Sequence, residues 1–268
     1  MRALVLAYAA LVGACVGSFL NVCITRWPEN LSVVRPRSRC PRCEKPIAWY
    51  DNVPVVSWLV LRGKCRGCGL PISALYPGVE LLVALIWLAC AWKFGATFLT
   101  LRVAIFATLL VGVAITDVRT YTIPDGFTIT GFIFVLVAAF AGAFFGQQLP
   151  FASPFNAIVG ACTGAGVIAI VGWLGEAALK KEAMGFGDVT LMAFIGAAVG
   201  PELALLTVFV GAAIGAVVFL AVIAPIAKGR GKEMPQVPFG VFLSPAALVT
   251  LLYGRQMVAA YLTYLAGA

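Results

Sequence analysis

Two aspartates stand at the ends of apolar stretches, each in a setting where a carboxylate can do chemistry. Asp117 occurs in "ITDVRTYTIPD", and Asp188 occurs in "GFGDVTLMAF", directly after Gly185 and Gly187. Two neighbouring carboxylates do not both ionise easily, so such a pair shares one proton, and it can activate water while protonating a carbonyl oxygen. The residues alone leave a simpler alternative open, in which each aspartate only caps a helix at a membrane boundary.

Four cysteines form a second chemical cluster. "CPRC" contains Cys40 and Cys43, "CRGC" contains Cys65 and Cys68, and 21 residues separate the two pairs. Two C-x-x-C pairs at this spacing are typical of a tetrahedral zinc site with four cysteine ligands. Because four thiolates leave no open coordination position, we expect a structural Zn²⁺ rather than a catalytic one. A redox pair and a metal-free loop are the alternatives.

The chain contains no histidine, so carboxylates are the main remaining candidates for acid–base chemistry. That absence excludes H-E-x-x-H zinc proteases and both Ser–His and Cys–His nucleophile systems. Asp125, in "IPDG", is best interpreted as a turn residue or helix N-cap. Glu80 follows "YPGV" at the start of an apolar stretch, where an acid is a site candidate, although stabilisation by the helix dipole explains it nearly as well.

The elements that must position these residues are membrane helices. Of the 268 residues, 62% are hydrophobic and 11% are charged, and the mean hydropathy is +1.01. This composition predicts an all-α polytopic membrane protein. We expect about eight spans, of which the sixth is short. The apolar runs cover residues 3–24, 77–95, 96–116, 127–147, 155–176, 189–200, 203–227 and 239–262.

The distribution of basic residues predicts the orientation in the membrane. Of 19 Lys and Arg, nine lie between Arg26 and Arg66, and six more fall in later loops on the same side of the predicted spans. By the positive-inside rule this side is cytoplasmic, which places both termini on the other side and both aspartates at cytoplasmic helix ends. The net charge of +8 then reflects topology and attraction to anionic lipid, not nucleic-acid binding. The six later residues are Arg119, Lys180, Lys181, Lys228, Arg230 and Lys232.

Three segments follow from this pattern. Residues 1–24 form a first transmembrane helix, which is too long for a signal-peptide core and is therefore expected to be retained. Residues 25–76 form a cytoplasmic zinc loop, and residues 77–268 form the remaining membrane domain. Glycines four residues apart predict close helix packing, at Gly13 and Gly17, Gly196 and Gly200, and Gly211 and Gly215.

The motifs together resemble a known family, the bifunctional prepilin leader peptidases/N-methyltransferases of type IV pilus and type II secretion systems. The resemblance runs in order through "GSFLNVCITRWP", the cysteine loop, "DVRTYTIPD" and "MGFGD". It implies a GxGD aspartyl protease in which Asp117 and Asp188 are catalytic, with support from Gly185, Gly187 and Asp125. It also implies a zinc-bearing loop and S-adenosylmethionine-dependent methylation of the new N-terminus.

The implied substrates are type IV prepilins and pseudopilins, each with a basic cytoplasmic leader followed by a membrane helix in the bacterial inner membrane. One departure is Thr190, where the family commonly has lysine. No G-x-G-x-x-G fingerprint marks a nucleotide site, so Ser18 and Asn21 of "GSFLN", together with Glu80, are the candidates for a methyl-transfer pocket. The alternatives are a protease-only GxGD peptidase and a non-enzymatic transporter or assembly scaffold.

Overall fold

The computed structural model describes residues 2–146, 149–180, 184–229 and 237–267. The regular secondary structure of these residues is helical and contains no strand; two isolated β-bridges occur within the cysteine loop, much of which is irregular. All helices except α2, α7 and α9 belong to the seven segments that are long and apolar enough to cross a membrane. In chain order the helices are α1 (Arg2–Arg26), α2 (Val56–Val60), α3 (Leu75–Phe94), α4 (Phe98–Thr120), α5 (Asp125–Phe144), α6 (Pro154–Leu179), α7 (Phe186–Val199), α8 (Pro201–Val218), α9 (Ala224–Gly229) and α10 (Gly240–Gly267).

The predicted apolar runs coincide with α1, α3 to α7 and α10 to within about five residues. The run 203–227 covers α8, a π-helical turn at Phe219–Ile223 and part of α9, which together form one apolar segment, Pro201–Ile226. The short sixth run is α7, whose 14 residues span about 21 Å, less than the roughly 30 Å hydrocarbon core of a bilayer. The all-α membrane fold is thus confirmed for the described residues, with seven full-length helices and one short one. The predicted loop residues Lys181, Arg230 and Lys232, and residues 147–148, lie outside the described part.

The chain divides into two compact units, Met1–Gly112 and Val113–Ala268. In the first unit α1 packs closely on α3. A Cβ added at Gly13 would lie 2.7 Å from the Cβ of Trp87, and one at Gly17 would lie 2.8 Å from the Cα of Glu80. Only glycine permits this approach of the two helices, as the glycine spacing predicted.

In the second unit α7 is the core helix, packed against α5, α6, α8 and α10. Leu191, Met192 and Ile195 on α7 are fully buried. A Cβ added at Gly196 would overlap the carbonyl oxygen of Gly160 on α6. Contact at backbone distance therefore fixes where α7 lies, and with it the position of the residues at its start.

The other glycine pairs also pack closely, and Gly200 has a second role. Gly211 and Gly215 face Leu243 and Phe242 of α10, which confirms the predicted helix packing. Gly200 also packs closely, because a Cβ added at Gly160 of α6 would lie 2.8 Å from its Cα, and in addition it ends α7 with φ +86°. The turn into α8 requires glycine at this position, because residues that carry a side chain rarely adopt that backbone conformation.

Candidate active site and metal centre

Asp117 lies in the last turn of α4 and is only 4% exposed. The helix ends three residues later, at Thr120. It ends there because Tyr121 adopts the left-handed conformation, with φ 54°, and donates its N–H to the carbonyl oxygen of Asp117 at 2.9 Å. A carboxylate is unfavourable at this end of a helix, where the unpaired carbonyls carry partial negative charge. Another element must therefore compensate for its position.

The start of α10 supplies that compensation. The backbone N–H groups of Gly240 and Val241 face the Asp117 carboxylate, and a helix N-terminus favours negative charge. The approach is close, since a Cβ added at Gly240 would lie 2.8 Å from Oδ2 of Asp117. This Oδ2 is buried and has no hydrogen-bond partner among the described residues.

Asp188 lies in the first turn of α7, which begins after the N-cap residue Gly185. Its N–H donates to the carbonyl oxygen of Gly185 at 3.1 Å, and its side chain is half-buried. The carboxylates of Asp117 and Asp188 lie close enough for their charges to interact. The structure thus brings the two aspartates that the sequence singled out within range of each other's charge.

The predicted supporting residues differ in what they contact. A Cβ at Gly187 would lie 3.0 Å from the Cβ of Ile123, whereas one at Gly185 would only reach ordinary contact distance, 3.9 Å, from Oδ2 of Asp188. Asp125 is exposed and is the first residue of α5, where Pro124 takes the N-cap position that the sequence had suggested for Asp125. Thr190 donates its hydroxyl to the carbonyl oxygen of Gly187 at 3.0 Å, so its side chain turns back onto its own helix.

Sequence reasoning missed two residues at this site, Gly240 and Ile123. Gly240 follows "VPF" and is the first residue of α10. Ile123 directly precedes Pro124, the N-cap residue of α5. The only sequence signal was that both positions adjoin a predicted helix start. Neither carries a charge, so nothing in the pattern connected them with an aspartate more than 100 residues away or on another helix.

The two cysteine pairs form matching turns in the first unit. Each turn is closed by an isolated β-bridge, Arg39 with Pro46 and Lys64 with Pro71. In each, the N–H of the first cysteine donates to a carbonyl five residues on, and its own carbonyl accepts from the residue four on. This equivalence corresponds to the repeated pattern "RCPRCEKPI" and "KCRGCGLPI".

The sulfur atoms of Cys40, Cys43, Cys65 and Cys68 all lie within 4.8 Å of one another, and those of Cys40 and Cys68 are 4.0 Å apart. A tetrahedral zinc ion with Zn–S bonds of about 2.3 Å places its ligands about 3.8 Å apart, so the donor set fits this ion. The backbone N–H groups of Cys43 and Arg42 lower the pKa of the Cys40 thiol to about 7. At Cys68 the backbone N–H of Leu70 lowers the pKa of the thiol, but burial and the three neighbouring thiols together raise it to about 11. The positions of the four sulfurs, and not their pKa values, support the metal site.

The three candidates for methyl transfer are not all in one place. Glu80 accepts the N–H of Val55 at 2.7 Å, and the side-chain amide of Asn21 donates to the carbonyl of Tyr76 at 3.0 Å. Both side chains thus connect α1, α3 and the loop. Ser18 instead lines a cavity of about 410 Å³, whose lining does not include Asn21 or Glu80. The cavity's other polar lining residues are Arg26, Arg37, Ser38 and Asn52.

Fold and site together define a helical membrane protein with a buried and a half-buried aspartate close together in one unit and a four-cysteine centre in the other. Comparison with known families supports this class. The Bacterial Peptidase A24 N-terminal domain matches residues 11–94, and the Type IV leader peptidase family matches residues 104–220. No solved structure matches the chain.

Curated relatives extend over most of the chain. A prepilin leader peptidase/N-methyltransferase from Aeromonas hydrophila is 32% identical over 92% of this chain and 90% of its own length, and one from Pseudomonas aeruginosa is 32% identical over 95% and 92%. A relative of the same name from Myxococcus xanthus is 42% identical over 69% of this chain, but the match spans about half of that protein, 53%. The chain therefore belongs to the type IV leader peptidase family of membrane enzymes.

Proposed function

We propose that the protein is a bifunctional enzyme that removes the basic leader from type IV prepilins and pseudopilins and then methylates the new N-terminal amine. The observation that carries the proposal is the meeting of Asp117 and Asp188, which the sequence separates by 70 intervening residues and the second unit brings within range of each other's charge. The names of the relatives from Aeromonas hydrophila and Pseudomonas aeruginosa support the same pair of activities.

In the proposed cleavage the aspartate pair acts with one shared proton. The ionised carboxylate removes a proton from water as the water oxygen attacks the scissile carbonyl carbon, and the protonated carboxyl gives its proton to the carbonyl oxygen. The tetrahedral intermediate then breaks its C–N bond, and the leaving amine takes a proton from the carboxyl that had received it from water. A hydroxyl of the intermediate returns its proton to the other carboxylate as the product carboxyl group forms, which restores the single shared proton. The unpartnered Oδ2 of Asp117 is the atom we assign to contact with the attacking water. Gly185, Gly187 and Asp125 would shape the approach of the substrate backbone.

For the second activity, S-adenosylmethionine would supply a methyl group on a sulfonium sulfur. We assign its binding to the cavity of about 410 Å³ beside α1. Its donor set fits such a ligand, because Ser18, Ser38 and Asn52 offer groups for ribose and adenine edges and Arg37 offers a cation for the carboxylate. In this account the zinc ion is structural: it fixes the loop of residues 25–76, which would serve methyl transfer, while residues 77–268 would serve proteolysis.

The proposed location is the bacterial inner membrane, with the cysteine loop and the aspartates on the cytoplasmic side and both termini in the periplasm. Fifteen of the 19 basic residues fall in loops on the side assigned to the cytoplasm, which is the bias of a positive-inside topology. A prepilin inserted with its basic leader in the cytoplasm would present the junction of leader and membrane helix at the same face as the aspartates.

The test is incubation of the purified protein with a purified prepilin and S-adenosylmethionine. We expect a leader-sized mobility shift on a gel, and a mass increase of one methyl group on the new N-terminus. Cleavage without methylation would reduce the enzyme to a protease. Absence of both reactions, in protein whose zinc is bound, would overturn the proposal in favour of a scaffold or transporter.

A further inference from the structure

Ile123 lies between the supports of the two aspartates. Its Cβ is 3.0 Å from where a Cβ on Gly187 would be, and its Cδ1 is 3.0 Å from where a Cβ on Gly240 would be. Gly187 directly precedes Asp188, and Gly240 faces Asp117. One side chain therefore touches both backbone segments on which the aspartate pair rests.

We propose that Ile123, Gly187 and Gly240 form a positioning device, the isoleucine wedge, which sets the distance between the two carboxylates. Isoleucine suits this role because branching at Cβ restricts χ1, so that the side chain acts as a stiff spacer. The glycines on either side let the starts of α7 and α10 pack against it at backbone distance. The segment between α4 and α5 thus serves catalysis by holding the gap between the carboxylates constant.

Gly240 is the more sensitive of the two glycines. A methyl group there would lie 2.8 Å from Oδ2 of Asp117, closer than non-bonded atoms tolerate. The carboxylate is the end of a side chain with two rotatable bonds, so the added methyl displaces it more readily than it displaces a helix. The expected consequence of Gly240→Ala is a folded protein whose Asp117 carboxylate has moved away from Asp188.

This inference rests on the proposed function, which also supplies the control for its test. Leader cleavage is measured with purified prepilin, and methyl transfer is measured separately on a substrate that has already been cut. Displacement of a reacting group by about 1 Å costs on the order of 100-fold in rate, so we expect Gly240→Ala to lower kcat for cleavage by about 100-fold. KM should stay within about threefold, and methyl transfer should be unchanged.

Gly166→Ala is the matched control, because Gly166 lies in α6 of the same unit and a Cβ there meets nothing within 4 Å. It should leave both activities at the wild-type level. A second variant probes the wedge itself: Ile123→Val removes Cδ1 and keeps Cβ. In the Gly240→Ala background it opens space for the added methyl, and contacting residues typically couple, so we expect it to restore cleavage about fivefold or more.

The outcomes separate the wedge from the function on which it rests. If the wild-type protein cuts no prepilin, the proposed function fails. If the wild-type protein cuts and Gly240→Ala cuts equally well, or loses cleavage and methyl transfer in parallel, the wedge is wrong. Strictly additive effects of the two substitutions would also overturn it. If the wild-type protein cuts without methylating, the midpoint of thermal unfolding replaces methyl transfer as the control, and it should be unchanged in Gly240→Ala.

Discussion

Asp117 illustrates how a side chain acquires a role from residues distant in sequence. On its own helix it stands at the unfavourable C-terminal end, and the N–H groups of Gly240 and Val241 compensate from the start of α10. The sequence predicted the aspartate, because a carboxylate at the edge of an apolar run is unusual. It did not predict the amides, because backbone groups have no residue type to recognise and the pairing of helix ends is set by packing.

The contact between Gly187 and Ile123 makes a residue-level prediction. Gly187→Leu places a branched side chain where even a Cβ would be 3.0 Å from the Cβ of Ile123 and 3.3 Å from its carbonyl oxygen. We expect strongly reduced leader cleavage with Asp188 chemically intact. Gly166→Ala is the control, since a Cβ at that position of α6 meets nothing within 4 Å and cleavage should stay near the wild-type rate. The measurement is a gel-shift assay at matched protein level, and equal cleavage by Gly187→Leu would contradict this account.

The cysteine centre makes a second residue-level prediction. Purified protein should contain one zinc ion per chain by elemental mass spectrometry, because four sulfurs within 4.8 Å fit one tetrahedral ion. Cys43→Ser should lose most of this zinc and should lower methyl transfer more than cleavage. Cys162→Ser, at an exposed position on α6, should keep the metal. Folded wild-type protein with a zinc content near zero would refute the centre.

At the level of elements, the sequence predicted the length of α7 but not the helices that pack against it. The sequence predicted that the apolar run of α7 is short. The structure explains how a short helix is accommodated, because four helices surround it and its central residues are fully buried. A helix covered by protein need not match the thickness of the bilayer. The sequence did not predict which helices cover α7. Gly160 and Gly131 lie against α7, but nothing distinguishes them in the sequence from the other glycines among the 28.

The packing of α7 on α6 makes a prediction about stability. Gly196→Ala would place a methyl group against the backbone oxygen of Gly160, which cannot move without shifting a helix. Overpacking of this kind costs about 1–3 kcal/mol, so we expect a clearly lower midpoint of thermal unfolding in detergent, with reduced cleavage. Gly166→Ala, in open space on α6, should leave the midpoint in place. A midpoint for Gly196→Ala equal to that of the wild type would show that the two helices are not in backbone contact.

At the level of the whole molecule, the chain folds as two units, and the candidate sites are divided between them. The cysteine centre and the cavity belong to Met1–Gly112, and both aspartates belong to Val113–Ala268. The segments assigned from the sequence, 1–24, 25–76 and 77–268, remain a prediction about function. Composition marks where the chain enters the membrane, whereas a compact unit depends on contacts such as that of α1 with α3.

Orientation of the whole chain is tested by labelling. With the native cysteines blocked or replaced, a single cysteine at position 268 should react with a membrane-impermeant reagent added from the periplasmic side. A cysteine in place of Lys64, in the basic loop, should react only after the cytoplasmic side is opened. The reverse pattern would contradict the charge argument, and with it the placement of both aspartates on the cytoplasmic face.

Prepilin cleavage by Asp117→Asn and Asp188→Asn tests whether the two aspartates act as one catalytic pair. Asparagine nearly preserves shape but can neither become the anionic base nor share a proton. Each variant should therefore lose cleavage while it stays folded and methylates a pre-cut substrate. Asp125→Asn, at the exposed start of α5, should cleave nearly as well as the wild type. Full cleavage by either Asp117→Asn or Asp188→Asn would contradict the account.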